Sequence, residues 1–406
     1  MTAPPQGLAA LHPARRPELR LSGPLRRGPA VLHLVRDPVH DRTYELGPKE
    51  HFVLDRLDGV ATLGDIGDAY AIRFGVRLGD AHWSRLLGLL GTRRLLAGAP
   101  TPPPSLPDRP RSTFLNGRAS LVSDAPALVD RLYRALGPLL RPAVLAGLVA
   151  LVVAMLAMMV ADADRLLAGT GTLYHHQPVT LTAVGTILWL SLAVHELAHG
   201  LAGRAFGGTV SEIGLRWRLP VIFTYCTVDD VQFLPRRWQQ VSTAVAGAFA
   251  NLLFLLPFAV VWLLLPERAQ ARPAIAGLLV LGVAIAAANL VPLPPLDGYK
   301  VIGYGCGISR LATGSRGFLA LLVLRVFGRG PGTASYPRRL RWIYGGYGLF
   351  VVVAAVVLVT TVVVAGSRRL ADRWGSGAGI VPVALLAALL VLWAAGLLAK
   401  RKRVAT

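Results

Sequence analysis

The chain reads as an all-α polytopic membrane protein of about six transmembrane helices, preceded by a small N-terminal α+β domain of winged-helix-like build. Three observations predict this. Hydrophobic residues make up 53% of 406 residues and the mean hydropathy is +0.52, well above an ordinary soluble composition. The apolar residues come in separate blocks, each near the length a helix needs to cross a bilayer. The N-terminal quarter has no such block and shows the short alternating and helical patterns of a compact unit.

Residues 1–27 are rich in Pro and Arg, hold no apolar run of signal-peptide length, and are expected as a disordered N-terminus kept in the cytosol. Within 28–99, residues 31–35 and 43–46 read as two short strands around Asp37, Pro38 and Asp41. Three helical patterns follow. They run over 49–57, ending at Gly59; over 62–74, with Thr62 and Asp65 spaced as a capping pair; and over 80–96, with Trp83, Leu86, Leu87 and Leu90 at helical spacing. Residues 100–113, with prolines at 102–104, 107 and 110, form a stiff linker. Residues 114–138 approach the membrane, and the amphipathic stretch LVDRLYRALG within them is expected along its surface.

The membrane domain, 139–398, holds spans at 139–161, 180–205, 242–265, 274–293, 341–365 and 378–398, and a basic tail follows at 399–406. With the N-terminus in the cytosol, loops 206–241 and 299–340 and the tail fall inside. They carry 15 Lys and Arg, against six in the outer loops, Arg165, Arg268, Arg272, Arg368, Arg369 and Arg373. Both termini are therefore expected on the cytoplasmic face of the plasma or inner membrane. The same distribution accounts for the formal charge of +21, carried by Arg with Lys only at positions 49, 300, 400 and 402, so no nucleic-acid partner is called for. Cys226 and Cys306 form no CxxC pair and are expected as free thiols.

In the second span, SLAVHELAHG at 191–200 sets His195 and His199 four residues apart. On a helix both imidazoles leave one face a turn apart and can share a tetrahedral metal, with Glu196 beside them to take a proton from water. Residues 179–194 carry no charge, so the cluster lies inside a span, where ionisable groups are costly and mark function. His199 precedes the inner end by about six residues, roughly 9 Å of helix rise. The fourth span ends ANLVPLPPLDGYK, in which Pro292, Pro294 and Pro295 break the helix where backbone must be buried in protein or line a wet cavity. Asp297 follows at the depth of the two histidines and supplies the third ligand of a catalytic zinc, the fourth position being left for water. Asp229 and Asp230 are lesser candidates because they fall beyond the span. His175 and His176 lie on the outer side. Iron or cobalt would suit the same three donors.

In order and combination, HELAHG, AGAFAN at 246–251 and NLVPLPPLDG at 289–298 resemble the signatures of the site-2 protease family of intramembrane zinc metalloproteases. The resemblance implies that His195, His199 and Asp297 hold Zn2+, that Glu196 is the general base, and that Asn251 and Asn289 match asparagines that position substrate. Hydrogen bonding between spans is the other role open to each asparagine. Residues 206–230 and the ending LDGYK resemble the peptide zinc metalloprotease branch found with peptide-modification systems. YELGPKEHFVLDRLDGVATLGDIGDAYAIRFG resembles a PqqD-like peptide-recognition domain, which implies capture of a precursor's leader as an added strand. Together they imply removal of the leader of a ribosomally synthesised, modified peptide, of the daptide type among such systems. The precursor and the lipid bilayer are the partners, and peptide-modifying enzymes are compatible further contacts. The alternatives are regulated intramembrane proteolysis of a membrane-anchored regulator, and a non-catalytic peptide-binding membrane protein for export or immunity. Residues 210–218 and 221–228 alternate as a hairpin whose edge would hold a substrate extended.

Overall fold

The structure, a computed structural model, describes residues 8–98, 113–173, 178–219, 221–328, 332–385 and 387. The chain divides into two compact units, Met1–Arg310 and Leu311–Thr406.

The first unit opens with strands β1 (Arg20–Leu21), β2 (Leu25–Arg27), β3 (Ala30–Asp37) and β4 (Arg42–Leu46). The other three all pair antiparallel with β3. Helices α1 (Pro48–Arg56), α2 (Leu63–Phe74) and α3 (Asp80–Thr92) follow in the expected order. Thr62 and Asp65 do form the reciprocal cap at the start of α2, and Gly75 ends that helix at a φ of 71°. Val35, Leu54, Leu57, Leu63, Trp83 and Leu90 close one core between sheet and helices.

The expectation of disorder over 1–27 is corrected for residues 8–27. β1 and β2 bond backbone groups of β3 that β4 does not reach, Leu19 is buried in the core, and the Ser22 hydroxyl accepts from the Leu34 N–H. Arg16 makes a buried two-pronged ion pair with Asp37. Composition alone hid strands of two and three residues.

The unit continues through β5 (Asn116–Ser120), α4 (Ala125–Leu136), α5 (Pro142–Ala161), α6 (Ala163–Leu173), α7 (Pro178–Ala205), β6 (Thr209–Arg218), β7 (Val221–Asp229), α8 (Arg237–Leu264), α9 (Arg272–Asn289) and α10 (Asp297–Cys306). The expected hairpin is β6–β7. β5 adds to the other side of β6, giving the order β5-β6-β7 and leaving β7 at an edge. Helix α4 turns Ala125 and Val129 onto Val210 of β6, and its Asp130 pairs with Arg204 of α7. Val184, Leu255, Trp262, Ala276 and Leu279 form the core shared by α7, α8 and α9.

The second unit holds α11 (Leu311–Val326) and α12 (Arg338–Trp374). Ser315 Oγ donates to the Tyr344 carbonyl at 2.6 Å, and the rings of Phe318, Tyr336 and Tyr344 pack together. The inner loop expected over 299–340 therefore contains helical residues of α10 and all of α11.

Among the described residues five helices are long and apolar enough to cross a membrane: α5, α7, α8, α9 and α12. They correspond to the first five expected spans. Their outward faces, such as Leu349, Val352, Val356 and Leu358 of α12, are exposed and apolar, which suits lipid as the surrounding medium. Most of the sixth expected span at 378–398, the tail at 399–406 and the linker over 100–112 lie outside the described residues.

Candidate metal centre

Helix α7 brings His195 and His199 to one face, buried against α8, and α10 begins at Asp297, also buried. The prolines predicted to end the fourth span do so: α9 stops at Asn289 and the chain turns through 290–296 before α10 starts. Asp297 Oδ2 lies 2.9 Å from His195 Nε2 and 3.0 Å from His199 Nε2, and the two nitrogens are 3.1 Å apart. These three side chains form the one group of metal-ligand type with converging donors among the described residues.

The donor set fits zinc. Tetrahedral donors on bonds of about 2.0–2.1 Å stand about 3.3 Å apart, so a small outward movement of each side chain admits the ion. Gly247 of α8 faces the two nitrogens, and a Cβ there would lie 2.5 Å from each. The cradle is thus open because that residue is glycine.

The far side of each imidazole is held. His199 Nδ1 lies 2.7 Å from the Thr243 carbonyl, which accepts its N–H and leaves Nε2 with a lone pair for a metal. Behind His195, Asn251 Nδ2 is 3.2 Å from Nδ1, and Ser191 Oγ donates to Asn251 Oδ1 at 3.0 Å. Metal ligation through Nε2 needs the amide turned round, so that Oδ1 accepts from Nδ1–H and Nδ2 donates to Ser191. The two orientations occupy the same space. Lys300, one turn along α10, donates to Asp297 Oδ1 at 2.8 Å.

Glu196 accepts a hydrogen bond from the Cys226 backbone N–H at 3.1 Å, which puts its carboxylate against the edge strand β7. Trp189 of α7 donates to the Ile222 carbonyl of the same strand at 3.0 Å. Gly200 and Gly203 let the hairpin approach α7, since a Cβ would meet Cys226 Sγ at 2.9 Å or Val228 Cγ1 at 2.5 Å. Burial, with the Glu196 and Asp229 carboxylates adding, pushes the Cys226 thiol up to about 12, so it stays protonated. Both cysteines are free, as expected.

Asn251 lies beside the three donors, bonded to His195. Asn289 is half-buried at the end of α9, and no hydrogen bond joins it to the three donors among the described residues. Asp230 is instead the acceptor of an ion pair from Arg20 at 2.9 Å, with Arg36 Nε at 3.6 Å, and Asp229 is raised by burial. His175 and His176 lie outside the described residues. Sequence reasoning missed Ser191, Thr243, Gly247 and Lys300. Gly247 and Lys300 lie in the quoted runs AGAFAN and LDGYK, but nothing in their residue type tells what they touch.

Residues 183–275, from α7 into α9, match the model of Peptidase family M50. A protein of Synechocystis sp. (strain ATCC 27184 / PCC 6803 / Kazusa), whose name is "putative zinc metalloprotease", is 27% identical over 162 residues, covering 35% of this chain and 41% of that protein. The chain thus spans about two fifths of the length of the curated relative it matches. No solved structure matches. The five membrane-length helices fit a multi-pass membrane protein, and the matched stretch carries His195, Glu196, His199 and Asn251.

Proposed function

We propose, on the premise of an M50-type peptidase region, that this protein hydrolyses a peptide bond at the membrane and that its substrate is the leader of a ribosomally synthesised, modified peptide. One observation carries the reading. Glu196 adjoins His195, one of the three converging donors, on the same helix, and its carboxylate accepts from the edge strand β7.

When bound, zinc supplies an acidified water and polarises the carbonyl under attack. His195, His199 and Asp297 hold the ion, while the Thr243 carbonyl and Asn251 keep the imidazoles in the ligating tautomer. Glu196 takes the proton from the attacking water and returns it to the departing amine. The β7 edge lies beside that carboxylate and suits an extended backbone, the form a peptide must take for attack on its carbonyl.

Leader capture is supported by how the N-terminal sheet joins this end of the unit. The Arg26 N–H donates to the Gly307 carbonyl at 2.8 Å and its carbonyl accepts from Ser309 N–H at 2.9 Å, just beyond α10. Arg20 and Arg36 reach Asp230, just beyond β7. These contacts support a reading in which the domain proposed for capture lies against the part of the unit proposed for cutting.

The test uses full-length protein in detergent with precursor peptides encoded beside the gene, with and without their leaders. Cleavage of the leader-bearing peptide is expected to fall about 10²–10⁴-fold in Glu196→Gln, with zinc retained. Equal cleavage by both proteins rejects the peptidase. Leader-independent cleavage of a single-span membrane regulator rejects the substrate.

A further inference from the structure

We propose that Lys300 is a positioning residue of the metal centre: its ammonium occupies one oxygen of Asp297 and leaves the other as a single ligand atom. The inference rests on the reading of His195, His199 and Asp297 as the metal ligands and adds a fourth side chain that touches no metal itself.

The carboxylate of Asp297 is divided between two tasks. Oδ2 faces both histidine Nε2 atoms at 2.9 and 3.0 Å, while Oδ1 takes the Lys300 ammonium at 2.8 Å. Spacing makes this natural, because residues three apart on a helix share a face, and Asp297 is the first residue of α10.

An ordinary surface pair at that spacing contributes a few tenths of a kcal/mol. This one differs in its partner. The Asp297 side chain is 6% exposed, whereas that of Lys300 is 47% exposed, so the ammonium keeps contact with solvent while pinning a buried carboxylate. Its loss leaves Oδ1 short of a charged partner in a place where desolvation is costly.

Two effects on the metal follow. A carboxylate with both oxygens available can grip an ion two-handed, which raises the coordination number and fills the position needed by water and substrate. With Oδ1 held by Lys300, rotation of the carboxylate is fixed and one-handed ligation is the geometry left. A carboxylate already held in place also loses less freedom when it takes the ion, so the ion is bound more tightly.

The experiment takes full-length protein in detergent, strips it with a chelator, and reloads it with Zn2+ or Co2+. Wild type, Lys300→Met, Lys300→Gln, Lys300→Arg and His199→Ala are compared. Zinc affinity, read by competition with a chromogenic chelator, is expected to weaken about 10–100-fold in Lys300→Met and Lys300→Gln and to return to within a few-fold of wild type in Lys300→Arg. Cobalt-loaded Lys300→Met should lose the intense visible absorption of four-coordinate cobalt, which Lys300→Arg should keep. The stripped Lys300→Met and Lys300→Gln should melt a few degrees below stripped wild type, as a buried carboxylate short of its partner requires, and the altered cobalt spectrum is the readout that a purely structural ion pair would not give. Unchanged zinc affinity and cobalt spectrum in both neutral variants overturn the proposal. So does an affinity loss matched by destabilisation of the stripped protein and not repaired by arginine. Wild type that takes up no zinc, or zinc uptake that survives His199→Ala, instead overturns the ligand assignment beneath it.

Discussion

Gly247 has no side chain where the two imidazole nitrogens need the room, with a Cβ there only 2.5 Å from each. Gly247→Ala should therefore reduce zinc content to the level of His199→Ala while helix content by circular dichroism stays at the wild-type value. His51, in α1, gives a pH signature for the N-terminal domain. It stacks on His33 with ring centroids 3.7 Å apart, and burial, with the neighbouring His33 and Arg15 adding against Asp55, pushes it down from 6.5 to about 4. The unfolded chain then binds a proton that the folded domain refuses. Stability from this group is present above about pH 6.5 and is lost as pH falls towards 4. Hydrogen exchange over β3 and α1 should speed up between pH 7 and 5, corrected for intrinsic rates, and His51→Phe should flatten that dependence. At this scale the sequence was legible wherever helix periodicity alone places a side chain, as for His195, Glu196 and His199. It was silent on the Thr243 carbonyl, since every residue carries one. It named Asn251 without its partner, and it named Asn289, which no hydrogen bond joins to the three donors among the described residues.

At the scale of elements, α10 depends on Gly298, whose Cβ would sit 1.9 Å from the Leu290 carbonyl oxygen. The start of the helix and the chain leaving α9 are in direct contact, and that contact sets the height of Asp297. Gly298→Ala should cost about 1–3 kcal/mol in stability, the range for overpacking, and should lower zinc affinity as well. Thermal melting and chelator competition on the same preparation would check both. A normal melt with normal zinc affinity would show that α10 can shift freely. The first five spans, the β6–β7 hairpin and helices α1 to α3 were legible because each carries its own period and end signals. The strands β1, β2 and β5 were not, because segments of two to five residues without alternation owe their form to the strand beside them. Helix α4 carried a clear amphipathic period, yet the period could not say that protein, at Val210, would cover its buried side.

Across the molecule, the N-terminal sheet is fastened to the part of the unit that carries the three donors through Asp230, the 307–309 backbone, Phe233 packed on Leu25, Leu32 and Leu34, and Arg310 at 3.9 Å from Glu45. The Asp230 side chain is 7% exposed and takes two guanidinium groups, so its loss should matter more than that of a surface pair. Asp230→Ala should raise hydrogen exchange in β1 and over 307–309 by roughly tenfold or more, as expected for charge-assisted bonds of about 1.5–3 kcal/mol, without changing zinc content. Unaltered exchange would mean the backbone bridge and the Phe233 packing hold the two parts without Asp230. This fastening was not legible in a sequence that read residues 1–27 as disordered and 28–99 as a separate domain.

The edge of β7 has a consequence for how long a substrate stays. Two of its outward groups, the Ile222 carbonyl and the Cys226 N–H, are already bonded to Trp189 and Glu196. An arriving strand exchanges these two bonds rather than adding them, which lowers the net affinity its backbone gains. Dwell time must then come from a second attachment, whose linkage turns a bimolecular encounter into an intramolecular one at an effective concentration in the millimolar range for a short flexible tether. A peptide gripped at one point would be cut at a rate that follows its bulk concentration. One gripped at two would be cut at a rate that follows the length of chain between its anchor and its cleavage site.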